Sequence, residues 1–446
     1  MNETLFPLPE GTPKSIPTGK GKPRLEIANR QQVTMRIVSL DEILPEDHRA
    51  RVVWAMVQEY DLSDFYNAIA SIEGEAGRPA IDPRLLIAVW LYAIIEGIGS
   101  ARSLARMCEE NIAYQWLMGG VSVNYHTLAD FRAQNEEKLD QVLTNNVAAL
   151  MKEGLVNLER TAQDGVRIRA NAGASSFRRQ QTLEECLHKA EGRVQQLKAD
   201  REKGDNEETT KCQQASCERH AQERVERVKQ ALKEVEKIEA KKEKNRELKR
   251  KNRPVRASTT DPEARITKMA DGGFRPAYNG QLNVDMDSRI IVGVDVSNEA
   301  DTRLLQTMLE QIQVRYEQLM EEHYVDGGFR SNSNITYAKQ NGVTVYTPIP
   351  SRYNKNSKKK PEEILPSDSC EVAEWKQRMV TDEAKQKYKM RAATVEWANA
   401  LLRNRGLIRL LVRGLKKARA VLLWFVLAHN LMQTVNLRKN IPQASF

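Results

Sequence analysis

Several common catalytic signatures are absent from this sequence of 446 residues. It contains no G-x-S-x-G nucleophile motif, no P-loop, and no cysteine with a plausible histidine partner. The six histidines are too dispersed along the chain to nominate a zinc site or a general base. Carboxylates are therefore the side chains left to carry any chemistry.

Cysteines and long apolar runs are also scarce. The five cysteines stand at scattered spacings, which favours a reducing compartment over a disulfide framework. The stretch MNETLFPLPEGTPKS has neither the basic start nor the apolar segment of a signal peptide. The longest apolar run, AVLLWFVLA at 420–428, is shorter than the roughly 20 residues that cross a bilayer. We therefore expect a cytoplasmic protein of a bacterium or archaeon, with no membrane partner.

Acidic residues are missing from the last part of the chain, where the net charge of +9 is concentrated. After Glu396 there is no Asp or Glu, whereas nine Lys or Arg occur there. Without those nine, the 69 Lys and Arg fall to the same number as the 60 Asp and Glu. Apolar residues interleave with the charges at helical spacing, which predicts packed helices with one basic face. Such a region is typical of proteins that bind a polyanion, above all nucleic acid.

The N-terminal part is predicted to be helical after a disordered tail. Residues 1–30 are rich in Pro, Gly and Lys and show no periodicity, so we expect disorder. Residues 31–157 have a helical pattern, with a core helix that starts at Asp82 and a second helix headed by Thr127. Short helices joined by tight glycine turns are compatible with a DNA-binding module of helix-turn-helix type. A small bundle used only for packing or dimerisation fits the same pattern.

The remainder predicts an α/β domain with a large helical insertion. Residues 178–256 contain two charged arms with apolar residues at 3-4 spacing, separated by a polar breaker. They predict a helical hairpin or coiled coil that either folds on itself or pairs with another subunit. Residues 158–177 and 257–446 alternate strand and helix patterns, which predicts one α/β domain split by the insertion.

Three carboxylates stand where they could bind a divalent metal. Asp164 lies near the head of a predicted strand, although Asp-Gly there also fits a simple turn. Asp326 ends a short strand before two glycines, and ligands gather at strand carboxyl ends in open α/β sheets. Glu396 is the single acid between residues 384 and 446, against thirteen Lys or Arg. It could instead be a surface glutamate paired with Arg391 or Arg403. Carboxylates in a basic protein favour phosphoryl transfer assisted by two Mg²⁺ or Mn²⁺ ions.

The pentapeptide DGGFR occurs twice, and its two contexts differ. Asp326 has an apolar strand before it, whereas Asp271 follows a polar stretch and precedes Pro276. We therefore expect Asp271 to be a turn residue and Asp326 to be the metal ligand.

Several segments together resemble the DDE transposases of bacterial insertion sequences, in the branch with an InsH-like N-terminal domain. RPAIDPRLLIAVWLYAIIEGIGSARSLARM and NYHTLADFRAQN resemble the N-terminal domain. QDGVRIRANAG, DPEARITKMADGGFRPAYNGQLNVD and YVDGGF resemble the regions of the two catalytic aspartates. KYKMRAATVEWANALLRNRG resembles the Tyr-Arg-Glu-Lys signature, except that four residues rather than three separate Arg391 from Glu396, and Arg403 replaces Lys.

The resemblance implies an RNase H-like catalytic domain in which Asp164, Asp326 and Glu396 are the catalytic, metal-binding triad. It implies cleavage at transposon ends and attack of the freed 3′-hydroxyl on target DNA, with two Mg²⁺ ions as cofactor, for which Mn²⁺ can substitute. The signature and the basic region together nominate residues that contact DNA: Tyr388, Lys389, Arg391, Arg403, Arg405, Arg413, Lys416 and Lys417.

The expected partners are the terminal inverted repeats and the target duplex, bound by a homodimer or a higher oligomer. Two other functions stay open from the sequence. One is an architectural DNA-binding protein without catalysis, and the other is a nuclease that performs no strand transfer.

Overall fold

The computed structural model of the chain describes residues 37–72, 74, 79–203, 211–244, 254–350 and 360–439. The chain divides into two units, Met1–Ile43 and Leu44–Phe446. In the first, a short helix α1 (Leu40–Ile43) begins with a capping box, in which the side chains of Ser39 and Glu42 each accept a hydrogen bond from the other's backbone N–H. The predicted disordered tail, 1–30, lies outside the described residues. All other elements belong to the second unit.

The second unit begins with helices, as predicted. They are α2 (Arg49–Gln58), α3 (Ser63–Asn67), α4 (Pro83–Ile95), α5 (Ala101–Glu110), α6 (Ile112–Met118), α7 (Tyr125–Gln134) and α8 (Glu136–Lys152). Helix α4 starts where Asp82 accepts the Arg84 N–H and Pro83 fills the first turn. Its apolar sequence is almost entirely buried, as expected of a central core helix. Helix α7 starts before the predicted Thr127, because Asn124 is its cap.

A mixed sheet follows and carries the predicted site. Its strands are β1 (Arg160–Arg169), β4 (Arg265–Lys268), β5 (Phe274–Asp285), β6 (Ile291–Ser297), β7 (Glu322–Val325) and β8 (Thr344–Tyr346), while β2 (Phe177–Arg178) and β3 (Ala257–Ser258) form a separate pair. Strand β1 lies between β5, to which it is antiparallel, and β7, to which it is parallel. Along its other edge, β5 pairs with β4 in its first part and with β6 in its later part. Strand β8 pairs with β7 in parallel. Parallel β1 and β7 therefore start at the same edge of the sheet, and β1 continues beyond the end of β7.

Helices cover both faces of this sheet. They are α11 (Leu304–Tyr316), α12 (Asn332–Gln340), α13 (Cys370–Val380), α14 (Asp382–Lys389), α15 (Trp397–Asn404) and α16 (Leu415–Lys439). Gly280 leaves room for Leu422 of α16 on one face, and Gly293 leaves room for Met308 of α11 on the other. The architecture is thus mixed α/β behind an all-helical N-terminal region.

The predicted insertion is a helical hairpin. Helices α9 (Gln180–Lys203) and α10 (Lys211–Lys244) pack against each other, with Leu183 and Val235 buried between them. Ion pairs also join the arms, including Arg201 with Glu218. Of the two arrangements that the sequence allows, the described residues adopt the one in which the hairpin folds on itself.

The last helix, α16, is the part of the core that the helical region and the sheet share. Its Trp424 packs near Trp90 of α4 and donates to the Arg132 carbonyl. On the sheet side, the Asn430 amide bonds to both backbone groups of Ile291. This helix is long and apolar enough to cross a membrane, but most of it is buried. Its composition is therefore explained by core packing.

Candidate catalytic site

Asp164 lies in the middle of β1, so it is not a turn at the start of a strand. Its side chain is only 18% exposed and faces the helices of the C-terminal part. The Asn399 Nδ2 of α15 donates to its Oδ2 at 2.8 Å, and the Arg391 Nη2 lies 2.9 Å from its Oδ1. Both carboxylate oxygens are thus held, which compensates part of the cost of burying a charge.

Asp326 directly follows β7, next to Asp164 along the sheet. The register pairs Gln163 with Val325, so each aspartate is the next residue on its strand. Neighbouring strands lie about 4.8 Å apart, so Asp326 leaves the sheet beside Asp164, at the point where β7 ends and β1 continues. The Gly328 N–H donates to Asp326 Oδ1 at 2.7 Å and fixes that side chain in the turn.

The DGGFR copy at residues 271–275 is a turn, as predicted. Asp271 lies at the tip between β4 and β5, where its side chain is 58% exposed. It accepts two hydrogen bonds from Arg275 Nη1, at 2.8 and 2.6 Å, and one from the Gly273 N–H. Its charge is therefore used within the hairpin tip.

Glu396 joins the site through Arg391. A π-helical turn, Ala392–Glu396, precedes α15, with Arg391 directly before its first residue and Glu396 as its last. Arg391 Nη1 lies 2.9 Å from Glu396 Oε1 while Nη2 contacts Asp164, so one guanidinium bridges two of the predicted ligands. The Arg391 side chain is 7% exposed, whereas that of Glu396 is 55% exposed.

The charges of the other two acids act on the pKa of Asp164. The pKa of Asp164 is raised to about 6, chiefly because the group is buried. Arg391 and the Gly165 N–H lower this pKa, while the charges of Asp326 and Glu396 raise it. Burial also raises the pKa of Tyr388, and all three carboxylates add to that increase. A cation beside Asp164 would therefore favour the charged form of its carboxyl group.

The donors fit a hard divalent ion in type, since Asp164, Asp326 and Glu396 offer carboxylate oxygens. Across the part of the chain that the structure describes, however, no three His, Cys, Asp or Glu side chains are grouped closely enough to hold a metal. The Arg391 guanidinium lies between two of the three acids. These carboxylates could therefore hold Mg²⁺ or Mn²⁺ once Arg391 moves aside.

Two family models match the chain. A transposase domain matches residues 38–134, and a transposase DDE domain matches residues 253–431. The chain is a DDE transposase of the insertion-sequence class. No curated protein and no solved structure matches it. The DDE match includes Asp326 and Glu396, whereas the strand with Asp164 precedes it.

The basic residues predicted to bind DNA occupy different environments in the transposase. Lys389, Arg403, Arg413 and Lys417 are exposed. Arg405 is half-buried, and burial together with nearby Arg49 lowers its pKa. Lys416 lies 2.6 Å from Glu137 of α8.

Part of the C-terminal positive charge is therefore structural. Arg419 forms ion pairs with Glu136 and Asp140 of α8, and Arg438 does so with Glu59 and Glu153. These pairs attach the last helix to the helical region.

Asn399 supports the site by its bond to Asp164, and the sequence indicates it, because it stands three residues after Glu396 on the same helical face. Sequence reasoning missed two other residues near the site. Asp301 lies beside Gly165, and Asn334 donates to the Phe329 carbonyl in the turn after Asp326, but no pattern in the sequence connects these residues.

Proposed function

We propose that the transposase cuts DNA at the ends of its element by metal-dependent phosphoryl transfer, and then joins the freed 3′-hydroxyl to target DNA. The observation that carries this proposal is the meeting of Asp164 and Asp326 on adjacent parallel strands, with Glu396 linked to Asp164 through Arg391. These three carboxylates would be the metal ligands and catalytic residues.

The strand arrangement supports an RNase H-like catalytic domain. Strands β6, β5 and β1 form an antiparallel meander, which parallel β7 and β8 extend. Asp164 lies within β1, and Asp326 directly follows β7. On this proposal the domain comprises 158–177 and 257–446, with the hairpin 178–256 inserted and a DNA-binding domain at 31–157.

The cofactor would be Mg²⁺, with Mn²⁺ as a substitute and two ions in the site. When bound, such ions activate a water or 3′-hydroxyl and stabilise the leaving oxygen. Asn399 orients Asp164 by its hydrogen bond. Arg391, released from the two acids, would contact a DNA phosphate together with Tyr388 and Lys389.

The substrates would be the terminal inverted repeats and a target duplex, in bacterial cytoplasm. Exposed Arg403, Arg413 and Lys417 are available for phosphate contacts, whereas Lys416 and Arg405 are less so. A homodimer or larger oligomer would bring two ends together.

The test uses isosteric substitutions of each proposed ligand. Asp164→Asn, Asp326→Asn and Glu396→Gln are compared with Asp271→Asn, which changes the same residue type in the DGGFR copy at residues 271–275. The purified proteins are incubated with a duplex that carries the end of the element, a target plasmid and Mg²⁺. Nicked and joined products are measured separately.

We expect each ligand variant to lose cleavage and joining while it still binds DNA, and Asp271→Asn to retain both. Cleavage by Asp164→Asn at the wild-type rate would remove Asp164 from the triad, and likewise for the other two. Wild-type cleavage without joined products would indicate a nuclease. Salt-sensitive binding without any metal-dependent nicking would indicate an architectural protein.

A further inference from the structure

A further carboxylate, that of Asp301, lies near the proposed catalytic aspartates. Asp301 opens a short 3₁₀ turn, Asp301–Arg303, between β6 and α11. Its side chain is 18% exposed and receives three hydrogen bonds. Asn279 Nδ2 and Gln281 Nε2 of β5 donate to Oδ1 at 2.6 and 2.9 Å, and Arg167 Nη2 of β1 donates to Oδ2 at 2.8 Å. Three donors hold this carboxylate in one orientation.

Asp301 lies beside two glycines that are close to the catalytic aspartates in the chain. A side chain on Gly165, the residue after Asp164, would begin 2.7 Å from Asp301 Oδ1. A side chain on Gly328 would begin 2.9 Å from Asp326 Oδ1 and 3.6 Å from Asp301 Oδ2. Asp301 therefore lies against β1 just beside Asp164 and against the turn that holds Asp326.

A buried amide ties the two turns together. Asn334, at the start of α12, is 3% exposed. Its Nδ2 donates to the Thr302 carbonyl at 2.9 Å and to the Phe329 carbonyl at 2.6 Å. The Asp301 turn and the Asp326 turn thus share one donor, and neither can shift without breaking a buried hydrogen bond.

We propose that Asp301, supported by Asn334, is a positioning residue that fixes the spacing of Asp164 and Asp326, an inference that rests on the function proposed above. Metal ligands on two strands must keep a definite separation, and partners behind the ligands set it. Asp301 does this by its position beside Gly165 and Gly328 and by its bonds to the strands β1 and β5. It does not itself touch the substrate.

Three substitutions test this role by different routes. Asp301→Asn keeps the shape and removes the charge. Asp301→Glu keeps the charge but adds a methylene for which Gly165 leaves no space. Gly165→Ala displaces Asp301 together with its partners Asn279 and Gln281, and leaves the carboxylate itself unaltered. Glu299→Gln is the matched control, because Glu299 lies two residues away and pairs instead with Lys241 and Arg303.

The readouts are kcat and KM for end cleavage, and the Mn²⁺ affinity of the DNA-free protein, taken from the electron paramagnetic resonance signal of free Mn²⁺. We expect all three variants to lower kcat and Mn²⁺ affinity about 10- to 100-fold, as loss of ligand-supporting partners does. The KM for DNA should stay within about twofold, since no phosphate contact changes. The control should match the wild type in each measurement.

Wild-type kcat and Mn²⁺ affinity in Asp301→Asn would overturn the proposal, and so would full rescue by Asp301→Glu, which would indicate that only the charge matters. Thermal melting identifies a variant that does not fold, and the other two then decide. Active Asp164→Asn and Asp326→Asn proteins would instead refute the proposed function. Their loss of activity beside a normal Asp301→Asn would refute the positioning role alone.

Discussion

Arg391 and Glu396 face each other at 2.9 Å although four residues separate them. In a regular α-helix, residues five apart point about 140° away from each other. The π-helical turn Ala392–Glu396 absorbs one residue and returns the two side chains to the same side. The extra residue in the Tyr-Arg-Glu-Lys signature is therefore accommodated without loss of the pairing.

Deletion of Ala393 should convert the π turn into a regular helical turn. Arg391 and Glu396 would then be four apart and still adjacent, so we expect cleavage within about tenfold of the wild type. Deletion of Ala400, an exposed residue in regular helix α15, is the control. It rotates buried Leu402 out of the core and should cost about 2 to 5 kcal/mol of unfolding free energy. Cleavage assays and urea unfolding measure both deletions. Equal losses of cleavage rate and of unfolding free energy in the two would contradict the π-turn explanation.

Arg391→Gln should have opposite effects on metal binding and on catalysis. Without the guanidinium, Asp164 and Glu396 are free to bind a cation, so Mn²⁺ affinity of the DNA-free protein should rise about tenfold. Cleavage should fall, since a proposed phosphate contact is lost. Titration of free Mn²⁺ and a cleavage assay measure the two effects, with Arg403→Gln as a control that leaves metal affinity unchanged. A lower Mn²⁺ affinity in Arg391→Gln would contradict competition between Arg391 and metal.

The raised pKa of Asp164 predicts a pH-dependent stability difference from Asp164→Asn. A carboxyl group with a folded pKa of about 6, against an ordinary 3.8, favours folding while protonated and loses that contribution as pH rises through 6. Relative to the wild type, metal-free Asp164→Asn should therefore gain stability as pH rises from 4 to 6, by roughly 3 kcal/mol over the whole range. Urea unfolding across this range measures it. A constant difference would show that Asp164 titrates normally.

Exposed cations near the site should contribute more to DNA binding than paired ones. Lys389→Gln and Arg403→Gln should each reduce the slope of log K against log salt by about 0.9, the effect of one lost phosphate contact. Lys416→Gln should change the slope less, since Lys416 already pairs with Glu137. Fluorescence anisotropy at several salt concentrations gives the slopes. The distinction fails when the three substitutions reduce the slope equally.

Much of the fold could be predicted from local patterns. Helix α4 follows from Asp82, Pro83 and an apolar run, and the hairpin α9–α10 follows from spaced apolar residues in a charged background. The contrast between Asp271 and Asp326 also follows from their neighbours, because a strand before an aspartate and a polar loop before it are locally different. Alternation alone could not predict whether Asp164 lies in a turn or within a strand.

The contacts of Arg391, Asp301 and Asn334 could not be predicted, because each joins residues far apart in the sequence. Arg391 reaches Asp164 across more than two hundred residues, and Asn334 connects two turns. Likewise, the positive charge of the last helix predicted only DNA binding. In the structure, Arg419 and Arg438 form ion pairs with the helical region.

The sequence by itself determined the elements, the family and the candidate carboxylates, since periodicity, caps and motifs are local properties of the chain. Only the tertiary structure decided that one guanidinium bridges Asp164 and Glu396, and that Asp301 lies behind both aspartates. The physical reason is that burial and electrostatic coupling depend on distances through space, and the sheet register and the π turn set these distances.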